Sequence, residues 1–353
     1  MKNPIKVTIP IDQGNRLIKT KNFDFPASCV DGTTIASVGS DVLKYNDKEI
    51  AFTRSLQRQL NDKTEDDRYF NLTLGAIAKE LDYNERLTGV KYSLEEIIEI
   101  KLLIGLPLAH CKKLGGKYVE YFKTSRPLTF MFNGKFYNIH ITEVTFYPQG
   151  VAAVFAARKD FEGTRDVFVA DVGGFTLDSF RMAKAEGQTR HMPDADTCRS
   201  SYWGVNHLFE KINEAVHADG GMHDIPVGIM EGFLRKEIAA LNETSSERAA
   251  YITETAQEYA NQMLSNMANN GCDLKEDYVV FIGGGAILLE DYILRTGRLK
   301  KEPYFITDIK ANVKGYEILN KLEEVARANK AVASSGNVVS LSTPVSTKVV
   351  ASG

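Results

Sequence analysis

The chain has 353 residues, more than one hydrophobic core usually organises, so two domains are expected. Its 43% hydrophobic and 25% charged residues, with a net charge of -3, exclude a disordered or collagen-like polymer. They also exclude a basic field for phosphate backbones, so contact with DNA is expected only through a partner.

From the start, Met1 to Pro10 alternates polar and apolar residues and lacks the apolar core of a leader, and no apolar run approaches ~18 residues. A cytoplasmic protein without membrane contact is expected. Residues 5–11 read as a strand, followed by the turn Asp12-Gln13-Gly14-Asn15 and a second alternating stretch from Arg16, together a β-hairpin. Between Ser55 and Glu99 the chain is highly charged, and Thr73–Leu81 and Leu94–Leu103 carry helical spacing. A strand over Lys101–Pro107, a Lys/Gly-rich segment and a hairpin at Asn133-Gly134 follow. At Pro148-Gln149-Gly150 a strand gives way to an Ala-rich helix, Val151–Ala157, suited to connecting two domains.

The pattern then restarts. Strand Val167–Ala170 leads into Asp171-Val172-Gly173-Gly174-Phe175-Thr176 and a strand from Leu177, echoing the first hairpin. Helices are expected at 205–216, 228–241 and 246–268, then strand Tyr278–Ile282 with Gly283-Gly284-Gly285, and a last helix over Val313–Arg327. The division is 1–157, 158–329 and a flexible tail over 330–353.

Three segments carry chemistry. In the first, Gly14 at a hairpin tip lets backbone N–H groups approach a phosphate, Asp12 can hold Mg²⁺ through water, and Lys19 can neutralise phosphate charge. An ordinary hairpin turn is the competing reading. The second, Asp171 to Asp178, has consecutive glycines whose entropic cost calls for a reason, and close approach of a ligand is one. The third, Gly283-Gly284-Gly285-Ala286 between a buried strand and a helix, presents a flat surface beside a helix N-terminus, although a ligand-free turn would have the same composition.

In this order the segments resemble the actin-like ATPase superfamily. Asp12–Lys19 is similar to its first phosphate loop, Tyr147–Ala157 to its first connecting helix, and Asp171–Asp178 to its second phosphate loop. Val280–Ala286 is similar to its adenosine motif and Asn312–Leu319 to its second connecting helix. Within the superfamily the chain looks closest to ParM-type plasmid-segregation actins. The resemblance implies an α/β fold of two related RNase H-like domains with a nucleotide cleft between them. It implies Asp12 and Asp171 as holders of hydrated Mg²⁺, and Gly14, Asn15, Lys19, Gly173, Gly174, Phe175 and Thr176 around the phosphates. Gly283, Gly284, Gly285 and Ala286 would border the adenosine, and Gln149, with Asp171 nearby, would position the attacking water. The substrate would be ATP, with GTP left open, hydrolysed slowly because an amide orients water but is a poor base. The implied partners are further copies of the chain in a filament and a DNA-binding adaptor on a centromere-like plasmid site, with no direct nucleic-acid contact.

Two departures stand out: Gln13 and Asn15 replace the small or hydroxylated residues of many relatives, and Arg16 adds a charge. Glu231, Arg235 and Lys236 could clamp a base, but a solvated helix face is the preferred reading. Trp203 and the aromatics between Tyr118 and Tyr137 are expected in cores. The four separated cysteines and six histidines form no zinc or disulfide pattern. The rival functions are a small-molecule kinase, which would need an aspartate base that the sequence does not single out, and a non-hydrolysing actin-like scaffold.

Overall fold

The computed structural model describes residues 5–32, 40–55, 57–60, 62–92, 94–157, 164, 166–184 and 191–334. They form two α/β halves, each built on its own sheet. In the first, β1 (Ile5–Gln13) lies between its hairpin partner β2 (Leu17–Thr20) and the parallel strand β7 (Ile98–Leu106). Strand β7 runs parallel to β9 (Lys135–Pro148). Strands β3 (Asp24–Pro26), β4 (Cys29–Asp31), β5 (Val42–Tyr45), β6 (Lys48–Phe52) and β8 (Leu128–Phe132) complete the order β3-β2-β1-β7-β9-β8-β5-β6-β4.

The second sheet repeats the central arrangement. Strand β10 (Asp166–Val172) pairs antiparallel with β11 (Leu177–Lys184) and parallel with β13 (Val279–Ile282). Strands β12 (His191–Ser201) and β14 (Tyr304–Phe305) form its edges. The echo between the two hairpins is therefore an echo of strand pairing as well.

Period-2 geometry decides which side chains go where. On β7, Ile98, Ile100, Leu102 and Ile104 enter one core with α1 (Arg68–Thr88) and α2 (Leu108–Phe122), while Leu103 faces the other way toward Tyr147 and Tyr316. This alternation corrects the helix expected over Leu94–Leu103. On β10, Phe168, Ala170 and Val172 face α4 (Val205–Ala218), α7 (Ser246–Asn269) and α8 (Gly284–Arg295), while Val167 and Val169 face α3 (Val151–Ala157).

The helix α3 belongs to both halves. Its Val151, Ala153 and Val154 pack on the second sheet, whereas Ala152 packs with Leu103 and Tyr147 of the first. The long helix α9 (Ala311–Ser334) does the same, through Ala311 on one side and Tyr316 on the other. A Cβ on Gly315 would lie 2.0 Å from the carbonyl oxygen of Ala152, so the two connecting helices touch backbone to backbone.

Other expectations change. Helix α2 replaces the Lys/Gly-rich segment, and its Gly115 is required because a Cβ there would sit 2.5 Å from the Phe146 ring. The helix expected over 228–241 is two, α5 (Val227–Leu234) and α6 (Ile238–Glu243), separated at Lys236 with φ +60°. Helix α9 continues past Arg327 into the segment expected as a tail, and residues 335–353 lie outside the described residues. Asn133 and Gly134, at φ 49° and 82°, form the expected tight turn. Trp203 packs at the rim of the second core, 4.9 Å from the Tyr259 ring centre. Tyr118, Phe122, Phe130, Phe132 and Tyr137 are buried, while Phe136 is exposed. Among the described residues no helix is long and apolar enough to cross a membrane.

Candidate functional site

Strand pairing builds the site. Asp12 stands opposite Lys19 across the β1–β2 hairpin, so both side chains project to one face, and Lys19 Nζ lies 3.4 Å from Asp12 Oδ2. In the second hairpin the equivalent pair is Asp171 opposite Asp178. One hairpin compensates its aspartate, and the other doubles the negative charge.

Both hairpins open into one cleft of about 370 Å³, which is within the size of a small-molecule site. Asp12, Gly14, Asn15, Lys19, Gln149, Asp171, Gly173, Gly174, Phe175, Thr176, Gly283, Gly284 and Gly285 all line it. Ala286 does not: it is fully buried in the second core, beneath the glycine run.

Each glycine in the run has its own role. Gly283 has φ +92°, and a Cβ there would lie 2.5 Å from the Val172 carbonyl oxygen and 2.6 Å from Asp171 Oδ1. A Cβ on Gly285 would strike Val172 and Val205. Gly284 has nothing within 4 Å, so its bare backbone leaves room for a ligand at the start of α8. In the second hairpin the Gly173 and Gly174 carbonyls accept from the N–H groups of Val205 and Asn206 at 3.1 and 2.8 Å, which fixes the loop against α4. Among the described residues the N–H groups of Gly174 and Phe175 have no backbone acceptor, leaving them available to an anion.

Gln149 Nε2 donates to Asp12 Oδ1 at 2.6 Å, and Tyr316 Oη lies 3.4 Å from the same oxygen. A carboxylate can only accept, so the amide nitrogen must face Asp12, and the amide oxygen is left to accept from water. Asp12 is 2% exposed, and both of its oxygens are engaged. Burial, then the charge of Asp178, pushes the Asp171 carboxyl up to about 7. Burial likewise raises Asp178, against hydrogen bonds from Ser200 and Thr176.

This charge distribution fits a hard divalent cation. The uncompensated acid pair at Asp171 gains from one, whereas Asp12, already saturated, could reach it only through water. Among the described residues no three His, Cys, Asp or Glu side chains gather around a point, so most ligands of such an ion would come from water and phosphate.

Three further features line the cleft. Arg16 reaches across it to form an ion pair with Glu231 of α5, over the Phe209 ring at 5.5 Å, and Arg235 Nη2 joins Glu231 at 3.0 Å. The solvated-face reading thus holds for Lys236, which pairs with Asp291, and for Arg235, which is exposed at the cleft mouth, and fails for Glu231, which is partly buried against Arg16. Lys63 and His110 also line the cleft. Lys63 comes from a charged stretch in which a lone lysine carries no signal, and His110 from the helix that the sequence disguised.

Residues 12–151 match the family model for the N-terminal domain of actin-like proteins. No curated protein matches the chain by sequence. Among solved structures, an archaeal actin homologue is similar at a TM-score of 0.67 and 17% identity, covering 90% of this chain and 99% of that one. Its complex with ADP aligns at a TM-score of 0.63 and 15% identity over the same shares. A ParM from a 15-stranded filament of Clostridium botulinum aligns at a TM-score of 0.65 and 16% identity, again over 90% and 99%. The fold is therefore actin-like over nearly the whole described chain.

Proposed function

We propose that this chain, a member of the actin-like superfamily by its fold and by the family of its first half, is an ATPase that assembles into filaments in an ATP-dependent manner. The observation that carries the reading is the meeting of two glycine-tipped hairpins, the Asp12–Gln149 pair, Asp171 and the Gly283–Gly285 run in one cleft. The complex of an archaeal homologue with ADP supports nucleotide binding, and the ParM filament supports self-assembly.

In this reading the domains divide at 157/158. Gly284 and the N-terminus of α8 face the adenosine, while Gly14, Asn15, Gly173, Gly174, Phe175 and Thr176 bracket the phosphates and Lys19 neutralises them. Asp171, and Asp12 through water, would hold Mg²⁺, which offsets polyphosphate charge when bound. Gln149, held by its nitrogen, presents its oxygen to the attacking water and orients it. No strong base acts on that water, so turnover is slow and depends on positioning. ATP draws both halves together about α3 and α9. Subunits joined head to tail then extend an open filament, and hydrolysis weakens it by shifting the closure equilibrium. Segregation of plasmid copies through a DNA-binding adaptor is the role this behaviour serves.

Right-angle light scattering with Mg²⁺, followed in parallel with phosphate release, tests the reading. A rise on adding ATP above a critical concentration, lost in Asp171→Ala, is expected. Phosphate release without a rise would refute assembly, and neither signal would refute the ATPase.

A further inference from the structure

Lys63 is a buried cation with no carboxylate partner among the described residues. It follows β6, on the connection into α1, and is only 7% exposed, yet it borders the cleft. Its ammonium donates to the backbone carbonyl of Gln13, in the first hairpin, and lies 5.2 Å from the centre of the Tyr69 ring. Among the described residues no carboxylate lies within ion-pairing distance of it.

The nearby acids are committed elsewhere. Asp62, its neighbour in sequence, gives one oxygen to Lys117 at 2.6 Å and the other to Thr64. Asp12 is held by Gln149, Tyr316 and Lys19. Burial accordingly pulls the Lys63 ammonium down to about 8, with the more distant Asp12 and Asp178 opposing that shift. An ammonium carries three donors, and the described chain supplies one acceptor and one ring face. Burying a charge this incompletely is unfavourable unless something pairs with it.

We infer that Lys63 is the receptor for the terminal phosphate of the bound nucleotide. The charges acting on it, Asp12, Asp178 and Lys19, lie on the two glycine-tipped hairpins, with Arg68 at the start of α1, whereas Gly284 lies on the β13–α8 turn assigned to the adenosine. With the base on that turn, the phosphate that meets charges from both hairpins would be the one farthest from the base. Lys63 also sits on a segment that neither hairpin contains. A triphosphate would therefore tether the β6–α1 connection to the nucleotide, and a diphosphate would not. The inference rests on the ATP reading above and adds the discrimination between nucleotide states.

The test is the affinity of the unaltered protein, Lys63→Met and Lys63→Arg for AMPPNP and for ADP, each with Mg²⁺, by calorimetry. Lys63→Met is expected to weaken AMPPNP about tenfold or more while leaving ADP within twofold, and Lys63→Arg to keep most of the preference. Equal weakening of both nucleotides, as a merely structural brace would give, overturns the inference. No nucleotide binding by the unaltered protein overturns the ATP reading and the inference with it. Should the methionine variant not fold, ¹³C resonances of the unaltered protein decide. The Lys63 titration near 8 should move upward with AMPPNP and stay in place with ADP, and an unmoved titration in both overturns the inference.

Discussion

The contact between the two connecting helices makes a quantitative prediction through Gly315→Ala. The added methyl would lie 2.0 Å from the Ala152 carbonyl oxygen and 2.3 Å from its carbon, while ordinary contact begins near 3.4 Å. Helices α3 and α9 must therefore separate by up to about 1.4 Å, because backbone cannot rotate away as a side chain tip could. Overpacking of this kind costs about 1–3 kcal/mol, and the helix propensity gained on replacing glycine by alanine returns at most ~1 kcal/mol. A net loss of about 1–2 kcal/mol is expected, read as a lower midpoint in urea. Gly116→Ala on α2, which meets nothing within 4 Å, isolates the propensity gain and should raise the midpoint. Both helices link the halves, so if ATP drives assembly as proposed, Gly315→Ala should also slow it at protein concentrations that saturate the wild type. A Gly315→Ala protein as stable as Gly116→Ala would refute the backbone contact between α3 and α9.

Three further predictions follow from the cleft. If the amide orients water and the glycine loops hold the phosphates, as proposed, Gln149→Ala should lower single-turnover phosphate release about a hundredfold while changing ATP affinity only a few-fold; an equal loss of binding would assign Gln149 to the nucleotide instead. Gly284→Ala should leave the urea midpoint within about 0.5 kcal/mol of wild type and weaken nucleotide binding, whereas Gly283→Ala should destabilise the fold by about 1–3 kcal/mol through strain at φ +92° and collision with Val172. The folded Lys63 ammonium, held down near 8, loses its proton before the unfolded one at 10.5, so between those values the unfolded chain binds more protons and stability rises with pH. The wild type should gain on the order of 3 kcal/mol over Lys63→Met from pH 8 to 10.5 in urea titrations without nucleotide, and parallel curves would remove the charge from the cleft.

Much of the site is legible in the sequence because its parts are backbone turns. Gly14, Gly173 and Gly283 each follow a strand directly, and strand-to-turn junctions with glycine leave a readable pattern. Gln149 is legible for the same reason, standing between β9 and α3. What escapes are residues placed by tertiary packing alone. Lys63 lies in a charged stretch where lysine is ordinarily solvated, and Glu231 lies on a helix whose spacing does not show that it meets Arg16 from the first hairpin. Helix α2 escapes because glycines 115 and 116 lower its propensity, although Gly115 is there to admit the Phe146 ring. The start of β7 looks helical because Leu94, Ile97 and Ile98 stand at helical spacing, although Ile98, Ile100 and Leu102 alternate with partly exposed Glu99 and Lys101 as a strand does. Strand β12 escapes for the opposite reason, being an edge strand with most of its residues at least partly exposed.

The unequal charges of the two hairpins explain why a duplicated topology can respond to its ligand. Were both aspartates paired with lysines, each half would be satisfied alone, and nothing electrostatic would draw them together. Instead Asp12 is compensated within its own half by Lys19, while Asp171 faces Asp178 and is pushed toward neutrality. Lys63, from the first half, has no carboxylate in ion-pairing distance among the described residues, although it feels the charge of Asp178 in the second. The first half thus brings an unpaired cation to the cleft and the second an unpaired acid pair. In the proposed reading a phosphate chain with a divalent cation would complement both, its oxygens meeting Lys63 and Lys19 and the cation meeting Asp171. Binding energy would then be realised only when both halves contact the same ligand, which would couple nucleotide state to closure about α3 and α9.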